Sequence, residues 1–308
     1  MEIRDNLIKA ARRFVPLANL MAVTQFQSPG TVSKILWHFT GGPTWNATEQ
    51  RQNKRRKPDE KAYESLKGII SDKQLRIGQY KEVVNVIIPQ RRSYDFKTKK
   101  FTTERDVPVK LTSAPVCCLA DIPIIHLAYH AFRYGKFAIG FHRDAVVNHG
   151  FNPVFYTLPD TTIIRSVYEG FSQLKFADVN DIKFAVSDIE NDVNNLDSDE
   201  LDISNSLSEI EYGSDDIERY IDEAKDSFEQ ILAFIKTFDE DEFGSVYCER
   251  EWRSVESYRF DFDEIAMVVV PKNVGKRKYF QRLIARDAAS IKLPRSIPIV
   301  PWEDLVEH

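Results

Sequence analysis

The segment Tyr247-Cys248-Glu249-Arg250-Glu251-Trp252-Arg253 restricts the fold more than any other stretch of the chain. It reads as a short strand, and side chains two apart on a strand point to the same side. Glu249 and Glu251 would then share a face, flanked by Arg250 and Arg253. Two carboxylates on one face are costly to bury without cations or a ligand beside them. The segment is therefore either an edge strand with its charged side in water or one wall of a polar site.

The remaining pattern predicts an α+β fold. Arg4 to Phe14 reads as an amphipathic helix, and Val32 to Phe39 as an apolar strand stopped by Gly41-Gly42-Pro43. The basic stretch Arg51 to Lys57 reads as a loop. Glu60 to Ile70 predicts a helix with Tyr63, Leu66, Ile69 and Ile70 on one face. Val83 to Pro89 and Val107 to Leu111 predict a hairpin joined by the basic connection Gln90 to Thr103. Val116 to Leu119 is a short buried strand, Ile124 to Tyr134 a helix stopped by Gly135, and Phe137 to Phe141 and Val154 to Thr157 are strands. Asp216 to Phe238 predicts an amphipathic helix that includes Ile235. Strands are expected at Ser245 to Val255, Phe260 to Phe262, Ile265 to Val270 and Ile297 to Val300, with a basic helix at Val274 to Arg286. Residues 1–308 are expected to form a single domain. Residues 188–242 form an acidic, partly helical insertion within it, and Asp188 to Ser214, rich in Asn and Ser, is expected to be partly disordered.

Composition narrows the function classes. Hydrophobic residues make up 43% of the 308 and aromatics 12%, enough for a substantial core. No apolar run approaches the ~20 residues of a membrane span, and the charged opening MEIRDNLIKAARRF lacks a secretory h-region. Three cysteines, Cys117, Cys118 and Cys248, are too few and badly spaced for a disulfide framework or a zinc cluster. A cytoplasmic protein without a membrane partner is expected. The net charge of −5 argues against a generally basic nucleic-acid coat. The charge is uneven, however. Arg51 to Arg105 is basic and Asp188 to Glu242 acidic, which reads either as a nucleic-acid face opposite a solvating insertion or as two solvated surfaces.

Other candidates stand beside the carboxylates. His38 and Thr40, next to the Gly pair, offer donors and acceptors suited to ribose hydroxyls or a carboxamide; a structural histidine is the alternative. Asp121 is placed as a helix cap, with Pro123 in the first turn. His126 and His130 have the i, i+4 spacing of metal ligands. No third ligand is evident and Leu127 stands where a metalloprotease has Glu, so no metal is expected. The glycines of Tyr134 to Phe141 lack the order of a Walker or dinucleotide loop. Cys117 and Cys118 sit in an apolar run, where thiols are usually inert.

The ordered set HFTGG (His38–Gly42), CCLADIP (Cys117–Pro123), YGKFAIGF (Tyr134–Phe141), NPVFY (Asn152–Tyr156) and EREWR (Glu249–Arg253) resembles the AbiGi-type abortive-infection proteins of bacterial phage defence, over most of the chain. The first and last motifs also resemble the ADP-ribosyltransferase fold, including its DarT-like and diphtheria-toxin-like branches. There an early strand carries His-x-Thr for the NAD ribose and a late strand the catalytic Glu, sometimes as E-x-E. His38 and Thr40 match the first, Glu249 and Glu251 the last. The middle motif has no clean match; Tyr129 and Tyr134 fall there by position only. The resemblance implies ADP-ribosyltransferase-like central strands and NAD as co-substrate. It implies Glu251 at the ribosyl cation, Glu249 toward the acceptor, and His38, Thr40 and Tyr134 about the nucleotide. Arg143 or Arg253 would offset the pyrophosphate. The acceptor would be RNA, single-stranded DNA or protein. For nucleic acid, Arg51 to Lys57 and the hairpin's Tyr94, Phe96 and Phe101 are the candidate surface. AbiGi-type proteins are also described as antitoxins, which implies a non-enzymatic protein that binds a toxin or phage protein.

Overall fold

Several strands of this chain are apolar at successive positions because their sheet is covered on both faces. The computed structural model describes residues 33–46, 48–49, 51–95, 97–176, 219–238 and 249–306. In chain order these form β1 (Ile35–Phe39), β2 (Pro43–Asn46), β3 (Arg51–Arg56), α1 (Asp59–Asp72), β4 (Gln74–Leu75), β5 (Lys81–Asp95), β6 (Lys100–Pro115) and β7 (Cys117–Ala120). Next come α2 (Leu127–Tyr134), β8 (Ala138–His142), α3 (Arg143–Asn148), β9 (Asn152–Pro153), β10 (Phe155–Thr157) and α4 (Thr162–Phe176). They are followed by α5 (residues 219–232), β11 (Ile235–Thr237), β12 (Glu251–Ser254), β13 (Tyr258–Arg259), β14 (Ile265–Val270), α6 (Tyr279–Arg282), β15 (Ile299–Pro301) and α7 (Trp302–Val306).

The fold is mixed α+β around a seven-stranded sheet of order β15-β14-β8-β1-β7-β12-β9. Its pairs are antiparallel except β14 with β15. Alternate residues divide between two cores, as the pleat requires. Leu36, Ile139, Val268 and Val270 join one core with Tyr63, Leu66 and Ile70 of α1 and Tyr279 of α6. Trp37, Ala138 and Val269 join the other with Leu127 and Ala131 of α2 and Trp302 of α7. Gly140 lets β1 lie this close: a Cβ there would stand 2.7 Å from Ile35 Cγ2 and 3.0 Å from Trp37. A third core, built on Val84, Val86, Leu111, Ile164, Leu232 and Ile235, joins the hairpin base to α4, α5 and β11.

The expected helices over 60–70 and 124–134 and the strand Ile265–Val270 are present, the second beginning as a 3₁₀ turn at Ile124–His126. Other expectations change. Arg51–Arg56 is a strand paired with β2, not a loop. The basic connection Gln90 to Thr103 is mostly strand, because β5 and β6, past a bulge after Lys81, pair in one register from Val83 to Asp95. Ile235 lies in β11, parallel to β10, so the preceding helix stops before it. Phe260 to Phe262 is not a strand: β13 precedes it, and Asp261 and Glu264 close a capping box around a 3₁₀ turn. The helix expected from Val274 begins at Tyr279. Helices α3 and α4 had no counterpart in the sequence reading. Arg4 to Phe14 and Asp188 to Ser214 lie outside the described residues.

Candidate functional site

The site begins where the central sheet opens. β1 and β7 share one pair, Trp37 with Ala120. Beyond it the His38 Nδ1–H donates to the Cys118 carbonyl at 3.1 Å, leaving the neutral ring's Nε2 as its acceptor. Burial, with the Lys57 charge, lowers the His38 pKa and outweighs that hydrogen bond. A cavity of about 320 Å³ lies here, within the range of small-molecule sites. Its lining includes His38, Tyr134, Glu249, Glu251, Lys57 and Lys236.

The two carboxylates converge, by a route other than strand alternation. The described strand starts at Glu251, and Arg250 before it is left-handed at φ 41°. Both carboxylates reach Lys236 of β11, whose Nζ lies 2.6 Å from Glu249 Oε2 and 3.4 Å from Glu251 Oε2. Glu249 also accepts from Arg133 Nη1 at 2.7 Å and from the Tyr134 hydroxyl at 3.1 Å. Glu251 also accepts from Arg253 Nη2 at 2.8 Å. Burial pushes the Glu251 carboxyl up, but Arg253 and Lys236 outweigh it and hold it below the usual carboxylate range. Burial likewise opposes the charge of Lys236, and the carboxylates, Glu251 foremost, outweigh burial and keep it protonated. His130 stacks on Tyr134 at 4.3 Å between centroids, and burial pushes its pKa down to about 3.

Thr40 lines the cavity, but its hydroxyl donates to the Ala62 carbonyl at 2.8 Å and ties β1 to α1. The Gly pair admits a neighbouring element: a Cβ on Gly41 would stand 2.7 Å from the Tyr134 carbonyl oxygen, and one on Gly42 2.9 Å from the Tyr134 ring. Arg253 is fully buried. It bonds Glu82, Glu251 and the Ala233 carbonyl, and does not line the cavity. Arg143 lies outside the lining, 2.5 Å from Asp121, with its guanidinium over Trp252. Asp121 makes no cap; its carboxylate also accepts from Arg250 at 2.9 Å. The cations of the lining are Lys57, Arg76 and Lys236. Lys236 escaped the sequence reading because it sits in what looks like the end of an amphipathic helix. Burial pushes Cys117 up to about 12 and also pushes Cys118 well above the usual thiol range, as unreactive thiols. Among the described residues no group of three His, Cys, Asp or Glu is placed to hold a metal ion. Nor is any described helix long and apolar enough to cross a membrane.

Residues 81–303 match the family described as "Putative abortive phage resistance protein AbiGi, antitoxin". The chain is also similar to "Abortive phage resistance protein AbiGi" of Lactococcus lactis subsp. cremoris, with 36% identity over 59 residues. That alignment covers 18% of this chain and 24% of the relative, so the chain spans about a quarter of the length of the curated relative it matches. No solved structure matches.

Proposed function

The chain belongs to the AbiGi family of abortive phage resistance proteins, and from that premise we propose that it acts by ADP-ribosyl transfer, with NAD as co-substrate in the cavity between His38 and Glu251. One observation carries the reading. The two segments that resemble the ends of such a site, on β1 and β12, face one cavity across β7.

The chemistry suits the groups present. The bond from ribose C1′ to nicotinamide breaks, and nicotinamide leaves with the bonding pair. An acceptor atom bonds to C1′ and gives up its proton. Glu251, held ionised by Arg253 and Lys236, is the charge that stabilises the ribosyl cation between these events. His38 Nε2 accepts from a ribose hydroxyl or the carboxamide. Lys57, whose Nζ lies 3.4 Å from the Thr40 carbonyl, takes the part of offsetting phosphate charge that Arg143 and Arg253 are not placed for. Glu249 stands at the acceptor end. Incubating the protein with labelled NAD and cell lysate tests the reading: label should enter a macromolecule, and Glu251→Gln should lower transfer about 100-fold or more. A folded Glu251→Gln protein with undiminished transfer would overturn it.

A second reading has its own support. Glu249 and Glu251 are both fully engaged by side chains of the chain itself, so the cluster is satisfied without a ligand. The protein would then be an antitoxin whose partner is a toxin. In that case the wild type consumes no NAD, and Glu251→Gln, once folded, still neutralises the partner.

A further inference from the structure

A second cavity, of about 960 Å³, adjoins the first and shares Gln52, His130, Tyr134 and Glu249 with it. One side is β3, with Lys54, Arg55 and Arg56; the other is α2, with Tyr129, Phe132 and Arg133. Phe132 is 91% exposed and Tyr129 61%. Rings left this open three residues apart on a helix have little packing to explain them among the described residues. Arg133 is tied to Glu249 and Gln52, and Arg56 lies 3.8 Å from Asp59. Lys54 and Arg55, exposed on the strand, form no ion pair among the described residues. The groove thus offers cations along one wall and exposed rings along the other.

We infer that this groove holds the acceptor, and that the acceptor is single-stranded nucleic acid; the inference rests on the transferase reading for the word acceptor alone. Phosphates would run along Lys54, Arg55 and Arg56, while bases stack on Tyr129 and Phe132. A duplex keeps its base faces stacked on one another and has none to offer. An acidic peptide satisfies the cations but leaves both rings bare. Glu249 stands in both cavities, so a nucleotide in the groove meets ribose C1′ beside it. As the C1′–nicotinamide bond breaks and nicotinamide keeps the pair, the acceptor atom bonds to C1′ and its proton passes through Glu249 to water. Of the two walls it is α2 that brings rings to the groove, and Phe101 of the hairpin does not line it.

The test is binding, read by fluorescence anisotropy on the full chain without NAD, so a failed transfer assay leaves it standing. Probes are 15-nucleotide oligo-dT and oligo-U, a duplex of the same length, and oligo-glutamate. Either single strand should bind more tightly than duplex or peptide, and the ratio of the two identifies DNA or RNA. Phe132→Ala and Tyr129→Ala should each weaken binding about tenfold, and Arg55→Glu should lower the salt dependence. Phe132 is too exposed for its loss to unfold the chain, and circular dichroism checks this. Equal or tighter binding of duplex or oligo-glutamate would overturn the inference, as would single-strand binding indifferent to both ring variants. Normal single-strand binding with no transfer would overturn the transferase reading and leave the groove.

Discussion

Removing the ammonium of Lys236 would leave two buried carboxylates facing the space it fills. Its side chain is 13% exposed, those of Glu249 and Glu251 7% and 12%. Breaking a buried ion pair from one side costs about 3–5 kcal/mol, chiefly through the charge left behind. Lys236→Met should therefore lower the urea midpoint by an amount equal to several kcal/mol, with the m-value unchanged. Adding Glu249→Gln should recover part of the loss, because Arg253 still holds Glu251. A loss below about 1 kcal/mol would mean that Lys236 is not the cation that holds the site together. The carboxylates were legible in the sequence, since charges two apart in an apolar context need a reason. Their partner was not: Ile231, Leu232 and Ile235 continue a helical period across the true end of α5, and nothing local announces that β11 pairs with β10. Convergence was also expected for the wrong geometric reason. The left-handed Arg250 carries Glu249 to Lys236, rather than the pleat of a strand.

At the scale of elements, the hairpin divides into a base and an arm. From Val83 to Ile88 the ladder contributes Val84 and Val86 to a core with α4 and α5. From Gln90 outward to Asp106 every described side chain is exposed, and Asp106, opposite Pro89 where the arm begins, is left-handed at φ 50°. Alternating hydrophobicity made the base legible as strands. The arm looked like a loop because it is mostly polar, and only the pairing of its two sides with each other makes it strand. Replacing Pro89 to Asp106 by a two-residue Asn-Gly turn joins Ile88 to Val107, which already pair. That variant should keep its thermal midpoint within about 2 °C, since it removes no buried side chain among those described. It should also keep its oligonucleotide binding, because the groove lies on α2 and β3. A drop of 10 °C or more would show that the arm supports the fold. The strand β15 and the helix α2 were legible for the opposite reason: one is an apolar run that meets Pro301, the other an amphipathic stretch that stops at Gly135.

For the whole molecule, a site built into the middle of the main sheet makes its protonation a property of folding. His130, between Tyr134 and Phe39, is pushed down to about 3 by burial. An unfolded histidine titrates near ~6.5. Between these values the unfolded chain binds a proton that the folded chain does not, so stability falls as pH drops from ~6.5 toward 3. The slope is at most about 1.4 kcal/mol per pH unit for one such group. His38, lowered by the same cause, adds to it. Glu251 acts lower on the scale. Its folded pKa lies below the unfolded value near ~4.3, so its contribution is present above that pH and is lost as pH falls further. Urea unfolding at pH 7, 6 and 5 should therefore show stability decreasing in the histidine window. His130→Gln should flatten that limb by about one group's slope, while Glu251→Gln should leave it in place and flatten the limb below pH 4. A profile for the wild type that is level from pH 7 to 5 would mean that His130 takes up its proton in the folded state.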